Sequence, residues 1–226
     1  MKHEIIGSVL PVLEMTLHSG DGIFAQPGAM KWMDRNIEME TSTGGVFSGL
    51  KRTLMGEGLF LVWFRSGAGE AKIAFGHSFP GHIISVDVGR EAVICQKRAF
   101  LCAQEGVTLD LAFQRRLGAG LFGGEGFVMQ KLGGQGMAFM EIDGECVTKE
   151  LAPGEILKVD TGCVAAYEQS VQMDIEMVRG FKNILFGGGL FLTTLQGPGR
   201  VWLQTMPLQN LARDLIPFLP KPSEHK

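Results

Sequence analysis

Apolar and polar residues alternate along Ile37-Glu38-Met39-Glu40, along Val107-Thr108-Leu109-Asp110-Leu111 and along most of the stretch from Val171 to Val178. A period of two is that of a half-buried β-strand. Leu59 to Phe64 is apolar throughout, which predicts a strand covered on both faces, by the core or by another subunit. One segment has the helical period. Leu208, Leu211, Ala212 and Leu215 fall on one face, Pro207 suits a first helical turn and Pro217 ends it. The expected fold class is therefore all-β, with a short C-terminal helix at 207–217.

The strand pattern recurs. Gly58-Leu59-Phe60-Leu61-Val62 leads into Gly67-Ala68-Gly69, Gly126-Phe127-Val128-Met129 into Gly134-Gln135-Gly136, and Gly189-Leu190-Phe191-Leu192 into Gly197-Pro198-Gly199. Upstream of each lies a short apolar motif ending in glycine: Leu54-Met55-Gly56, Leu121-Phe122-Gly123 and Leu185-Phe186-Gly187. Further upstream, Ala25 to Met30 aligns with Cys95 to Phe100 and with Val159 to Val164. A fixed period means one folding unit used repeatedly. The expectation is one compact body over 1–220, with pseudo-threefold repeats at about 4–76, 77–143 and 144–206. Gly-x-Gly between apolar runs is expected to turn a hairpin, and so is Asp143-Gly144. The polar tail 221–226 reads as disordered.

The three glycine-flanked motifs, the block from Lys51 to Gly58 and the closing Val201-Trp202-Leu203-Gln204-Thr205-Met206-Pro207 resemble the uncharacterised bacterial family related to the altered-inheritance-of-mitochondria proteins of eukaryotes. The resemblance covers roughly residues 4 to 216. It implies lobes similar to the subunit of the tryptophan RNA-binding attenuation protein, a variant of the double-stranded β-helix. Three such TRAP-like lobes per chain in a homotrimer would make a nine-lobe ring. It implies no activity, and the tryptophan and RNA sites of the attenuation protein have no matching motif here.

Charge and composition narrow the function classes. The net charge of −3 argues against general nucleic-acid affinity. No apolar run is long enough for a transmembrane helix. Met1 to Gly20 carries Glu4 and Glu14 and lacks the pattern of a signal peptide. Cys95, Cys102, Cys146 and Cys163 form no Cys-x-x-Cys pair, and free thiols fit a cytoplasmic protein.

No catalytic constellation stands out, and no motif calls for a cofactor or a metal. Gly118-Ala119-Gly120-Leu121-Phe122-Gly123 matches Gly-x-Gly-x-x-Gly but lacks the βαβ setting of a dinucleotide site. His77 and His82 flank Phe79-Pro80-Gly81 without a further ligand at metal spacing and read as loop histidines. Cys95, beside Lys97 and Arg98, is the cysteine whose thiol such neighbours would lower, although buried small hydrophobes are the simpler reading. The remaining candidate is a repeated basic-plus-apolar block. Lys51, Arg52, Arg115, Arg116 and Lys182 are expected to face anions, while Leu54, Met55, Leu121, Phe122, Leu185 and Phe186 dip into a headgroup boundary or pack between lobes. The expected function is a non-catalytic oligomeric ring, a binding or scaffold protein docking on anionic lipid or a protein partner. The alternatives are an enzyme with an inter-subunit site and a nucleic-acid-binding ring.

Overall fold

The structure is a computed structural model, and it describes residues 1–41, 60–76, 79–115, 126–177, 191–215 and 218–219. After β1 (Lys2–Ile6) come β2 (Val12–Leu17), β3 (Gly22–Ala25), β4 (Met30–Met33), β5 (Ile37–Thr41), β6 (Val62–Ser66) and β7 (Ala71–Gly76). The next six are β8 (Gly81–Asp87), β9 (Val93–Gln96), β10 (Phe100–Gln104), β11 (Val107–Arg115), β12 (Phe127–Gly134) and β13 (Met137–Asp143). The last six are β14 (Cys146–Leu151), β15 (Ile156–Asp160), β16 (Val164–Glu168), β17 (Gln172–Met177), β18 (Phe191–Gln196) and β19 (Gly199–Gln204). Helix α1 (Leu208–Leu215) follows. Among the described residues the chain is all-β apart from α1 and short 3-10 turns.

Four sheets result, with orders β1-β2-β7-β4, β5-β6-β3-β10-β13-β8, β11-β12-β9-β16-β19-β14 and β15-β18-β17. The pairing pattern repeats with an offset of six strands. The trio β2-β7-β4 reappears as β8-β13-β10 and as β14-β19-β16, and the trio β5-β6-β3 reappears as β11-β12-β9 and as β17-β18-β15. Strand β1 has no counterpart among the described residues. Each six-stranded sheet is made from two trios contributed by successive thirds of the chain, joined at β3–β10 and at β9–β16. The thirds therefore share their sheets.

Three apolar cores separate the four sheets. The first lies between sheets one and two and contains Leu13, Met15, Ile73, Phe75, Ala25, Phe64 and Phe139. The second lies between sheets two and three around Phe24, Phe100, Met140, Cys95, Leu132 and Trp202. The third joins sheets three and four through Val164, Tyr167, Val201, Ile175 and Leu195. Phe24 stacks on Phe100 at 5.6 Å and meets Trp63 at 4.9 Å. The period-two reading of β5, β11 and β17 agrees with these strands.

Two turn expectations are corrected. Gly67-Ala68-Gly69 does not close a hairpin, because β6 pairs with β3 and β5 whereas β7 pairs with β2 and β4. The Gly-x-Gly segments are corners that carry the chain from one sheet to the sheet stacked on it. At the second corner Gly134 (φ +82°) and Gly136 (φ +127°) occupy backbone conformations that side chains rarely tolerate. Asp143-Gly144 is likewise a corner, since β13 pairs with β10 and β8 and β14 pairs with β19. A glycine pair between apolar runs has the same spacing in a hairpin and in a corner. The difference lies in which edges of the two strands are already taken.

The apolar run from Leu59 reads correctly in one respect. Strand β6 is central, Phe64 enters the first core and Trp63 packs on the second. It is therefore no open edge awaiting another subunit, and Phe60 just before it is 66% exposed.

Candidate assembly surface

The two joints between chain thirds have the same construction. At the first, Cys102 lies opposite Ala25, Ala103 opposite Phe24 and Gln104 opposite Ile23. At the second, Ala166 lies opposite Cys95, Tyr167 opposite Ile94 and Glu168 opposite Val93. Matching backbone bonds continue each ladder: Glu105 N donates to Gly22 O at 3.0 Å, and Gln169 N to Ala92 O at 2.9 Å. Polar side chains tie off the interior. Gln26 Nε2 donates to Glu141 Oε1 at 2.6 Å across the first joint. Across the second, Gln96 Nε2 donates to Val164 O, and within the last third Gln204 Nε2 donates to Gly162 O at 2.8 Å beside it. Arg65 Nη2 donates to both carboxylate oxygens of Glu105 at 2.8 and 2.9 Å at the rim of the first joint, while its Nη1 donates to Gly20 O.

The six-strand offset leaves two strands without this partner. Strand β4 is the counterpart of β10 and β16, and β15 is the counterpart of β3 and β9. Each ends its sheet. The consequence shows in burial. All residues of β3 are buried, as are four of the five in β10 and in β16. None of the residues of β4 or β15 is fully buried. Ile156 is 59% exposed. An edge strand presents unpaired N–H and C=O groups ready to pair with another chain, and these two edges carry apolar residues as well.

The basic-plus-apolar blocks stand at equivalent places in the pairing pattern. They fall between β5 and β6, between β11 and β12, and between β17 and β18, three antiparallel neighbours. Of the candidate residues only Arg115 is described; it ends β11, is exposed, and its Nη1 donates to the Ile175 carbonyl of β17. Lys51, Arg52, Leu54, Met55, Arg116, Leu121, Phe122, Lys182, Leu185 and Phe186 lie outside the described residues, as do His77 and the tail 221–226. The Gly118–Gly123 segment also lies outside them. The strands flanking it, β11 and β12, pair directly and antiparallel, which is not the parallel crossover of a dinucleotide unit.

The other candidates have structural partners. His82 Nδ1 is 2.9 Å from Gly144 O, and its Nε2 is 3.5 Å from Glu145 Oε2. No group of three His, Cys, Asp or Glu side chains arranged to hold a metal occurs among the described residues. The simpler reading of Cys95 as a buried small hydrophobe agrees with the structure, and Lys97 and Arg98 do not lower its thiol. Cys95 is fully buried, and burial pushes its thiol up to about 12. Burial also raises Cys102 well above the ordinary thiol range. Cys146 and Cys163, half-buried, are raised for the same first reason. All four cysteines are free. Asp143 Oδ2 accepts from Leu208 N at 2.9 Å and so caps α1.

Trp32, Lys158 and Asp160 gave no signal as site residues when read along the chain. Their signal is comparative: each occupies a position whose counterparts in the other two thirds are tucked into a joint.

Taken together, the fold is an array of stacked antiparallel sheets shared between successive thirds of one chain, in which the edge strands β4 and β15 lack the partner that their counterparts have among the described residues. Residues 3–206 match the model of the family described as mitochondrial biogenesis AIM24, and the chain belongs to that family. A curated relative, an uncharacterised protein of Streptococcus pyogenes serotype M6, is 27% identical over 223 residues, covering 94% of this chain and 88% of the relative. A crystal structure of a Streptococcus pyogenes protein, solved as a structural genomics target, superposes with a TM-score of 0.80 at 22% identity, over 96% of this chain and 99% of that one. At that identity the likeness shows the fold. Among the described residues no helix is long and apolar enough to cross a membrane.

Proposed function

We propose that this chain is a non-catalytic binding or scaffold protein that works as a closed ring of copies, a homotrimer on the family resemblance, with three TRAP-like units per chain. The observation that carries this reading is that β4 and β15 are edge strands whose counterparts in the other thirds are paired. A contact that buries β15 of one copy and β4 of another uses different surfaces on the two copies, and such head-to-tail contacts close into rings when the rotation permits. Light scattering tests it directly. A solution mass at a multiple of 24.6 kDa is expected, and a mass of one chain at every concentration would overturn it.

The ring presents its repeated basic-plus-apolar segments as a docking surface for anionic membrane. Support comes from the order along the chain: each segment lies in sequence between two strands that pair antiparallel. Each basic residue near an anionic bilayer contributes about 1 kcal/mol, and several copies held in one ring act together. Flotation with anionic and with neutral liposomes tests this, using wild type and Lys51→Glu/Arg52→Glu/Arg116→Glu/Lys182→Glu. Wild type is expected to float with anionic lipid at low salt and the variant is expected to stay behind. Equal behaviour of the two proteins would end the membrane reading and leave a ring that scaffolds a protein partner.

A further inference from the structure

We infer that Trp32 is the anchor of a contact between two copies of this chain, in which β15 of one copy pairs antiparallel with β4 of the next and Val159 lies opposite Trp32. The inference rests on the ring reading above and adds its register and its central residue.

The register follows from the two joints inside the chain. In each third the strand equivalent to β4 has a bulge at the same place, between Met30 and Trp32, between Phe100 and Cys102, and between Val164 and Ala166. Trp32, Cys102 and Ala166 are therefore equivalent. Cys102 faces Ala25 and Ala166 faces Cys95. Carried one third further, the partner of Trp32 is Val159, that of Met33 is Lys158 and that of Asp34 is Leu157. The flanking bonds carry over too. Gln26 N donates to Leu101 O at 3.1 Å in the first joint, so Asp160 N donates to Lys31 O of the next copy. That step sets a carboxylate across from an ammonium on neighbouring strands, an arrangement that favours the mixed pair over β4 on β4 or β15 on β15.

The anchor follows from a cross-strand pair. Within the sheets, Cys102 is paired with Phe139, Ala166 with Trp202 and Trp32 with Ala74. Each pair holds one aromatic and one small residue. In the first two the aromatic stands on the second strand of the pair; at Trp32 it has moved to the first. The volume is kept and its place exchanged, as tolerated core swaps do. Cys102 and Ala166, at the position of Trp32, are 0% exposed, but Trp32 is 51% exposed. The same structural position is covered twice within the chain and left open once, at the edge where the next third would begin. Val159 points into the third core. A residue opposite it on an antiparallel partner points the same way, so Trp32 of the next copy enters that core between sheets three and four. Large aromatics in desolvated pockets dominate interface energies.

Two variants test this on the full chain. Trp32→Ala at a chain concentration where wild type is assembled is expected to give a mass of 24.6 kDa with an unchanged far-ultraviolet circular dichroism spectrum. Met33→Cys/Lys158→Cys, which keeps Trp32, is expected to give covalent oligomers on mild oxidation. Neither single variant is expected to do so, nor is Met33→Cys/Ile156→Cys, two residues out of register. If wild type assembles and Trp32→Ala assembles equally well, Trp32 is not the anchor. If a single-cysteine variant or the out-of-register pair cross-links and Met33→Cys/Lys158→Cys does not, the edges pair differently; either result overturns this inference and leaves the ring standing. A single-chain mass for wild type at every concentration removes both.

Discussion

Phe139 and Trp32 fill equivalent cross-strand pairs, yet one is at the centre of a core and the other faces water. The difference does not lie in the residues. Phe139 sits on a sheet that received its second trio of strands from the preceding third, and β1 adds cover by setting His3 edge-on at 4.9 Å. Trp32 sits on a sheet whose second trio is missing. Burial in a repeated fold is thus a property of the neighbour as much as of the side chain, and the terminal units carry residues whose role appears only when a neighbour is supplied.

The comparison breaks most visibly on truncation. Phe139→Ala deletes a fully buried ring from the first core and is expected to cost about 3–5 kcal/mol of unfolding free energy, measured by denaturant titration. Trp32→Ala in the unassembled chain is expected to cost about 0.5 kcal/mol or less, as other exposed substitutions do. A large loss from Trp32→Ala at high dilution would mean that Trp32 already supports its own chain.

Alkaline pH is expected to act on the internal joints. Cys95 and Tyr167 both belong to the second joint, and burial pushes each up to about 12 from ordinary values of 9.0 and 10.0. In the unfolded chain these groups lose their protons at the lower values. Between pH 9 and pH 12 the folded state therefore binds more protons than the unfolded state, and stability falls as pH rises. Cys95 alone contributes a slope of about 1.4 kcal/mol per pH unit in that window. Thermal melts from pH 8 upward are expected to fall, and Cys95→Ala is expected to flatten the fall. A wild-type profile that is flat through this range would show that the thiol titrates freely.

The period-two strands and the helix after Pro207 were legible in the residues, because alternation and spacing are local. The corners were not. Gly134-Gln135-Gly136 carries all the marks of a hairpin turn, and only the pairing of β12 with β9 and β11, away from β13, shows that the chain changes sheets there. The candidate interface was hidden for a related reason. Trp32 and Ala74 lie far apart along the chain and match no motif. Their meaning depends on aligning three cross-strand pairs, which requires knowing the register. Burial of Cys95 was legible because it sits in an apolar run, whereas the strands that bury it, distant in sequence, were not.

Moving the aromatic back sharpens the comparison. Trp32→Ala/Ala74→Trp gives the first third the arrangement found in the other two, a small residue on the first strand and an aromatic on the second. It is expected to assemble more tightly than Trp32→Ala alone, recovering at least tenfold in apparent dissociation constant by sedimentation velocity, about 1.4 kcal/mol. Ala74 is fully buried, so a double variant that folds but assembles no better than Trp32→Ala would show that the position of the ring matters more than its volume.

The smallest expected effect concerns charge. In the register set by the internal joints, Lys31 of one copy stands opposite Asp160 of another. At the first joint that place is held by Leu101 and Gln26, which are uncharged. An opposite-charge pair on neighbouring strands contributes about 0.2–1 kcal/mol, and like charges oppose pairing by similar amounts. Lys31→Glu is therefore expected to weaken assembly by about 1 kcal/mol, several-fold in dissociation constant. Raised salt is expected to shrink the difference from wild type, because both groups lie near water. Weakening that persists undiminished in high salt would point to lost packing of the lysine stem, and no change at low salt would place Lys31 away from Asp160 and argue for a different register.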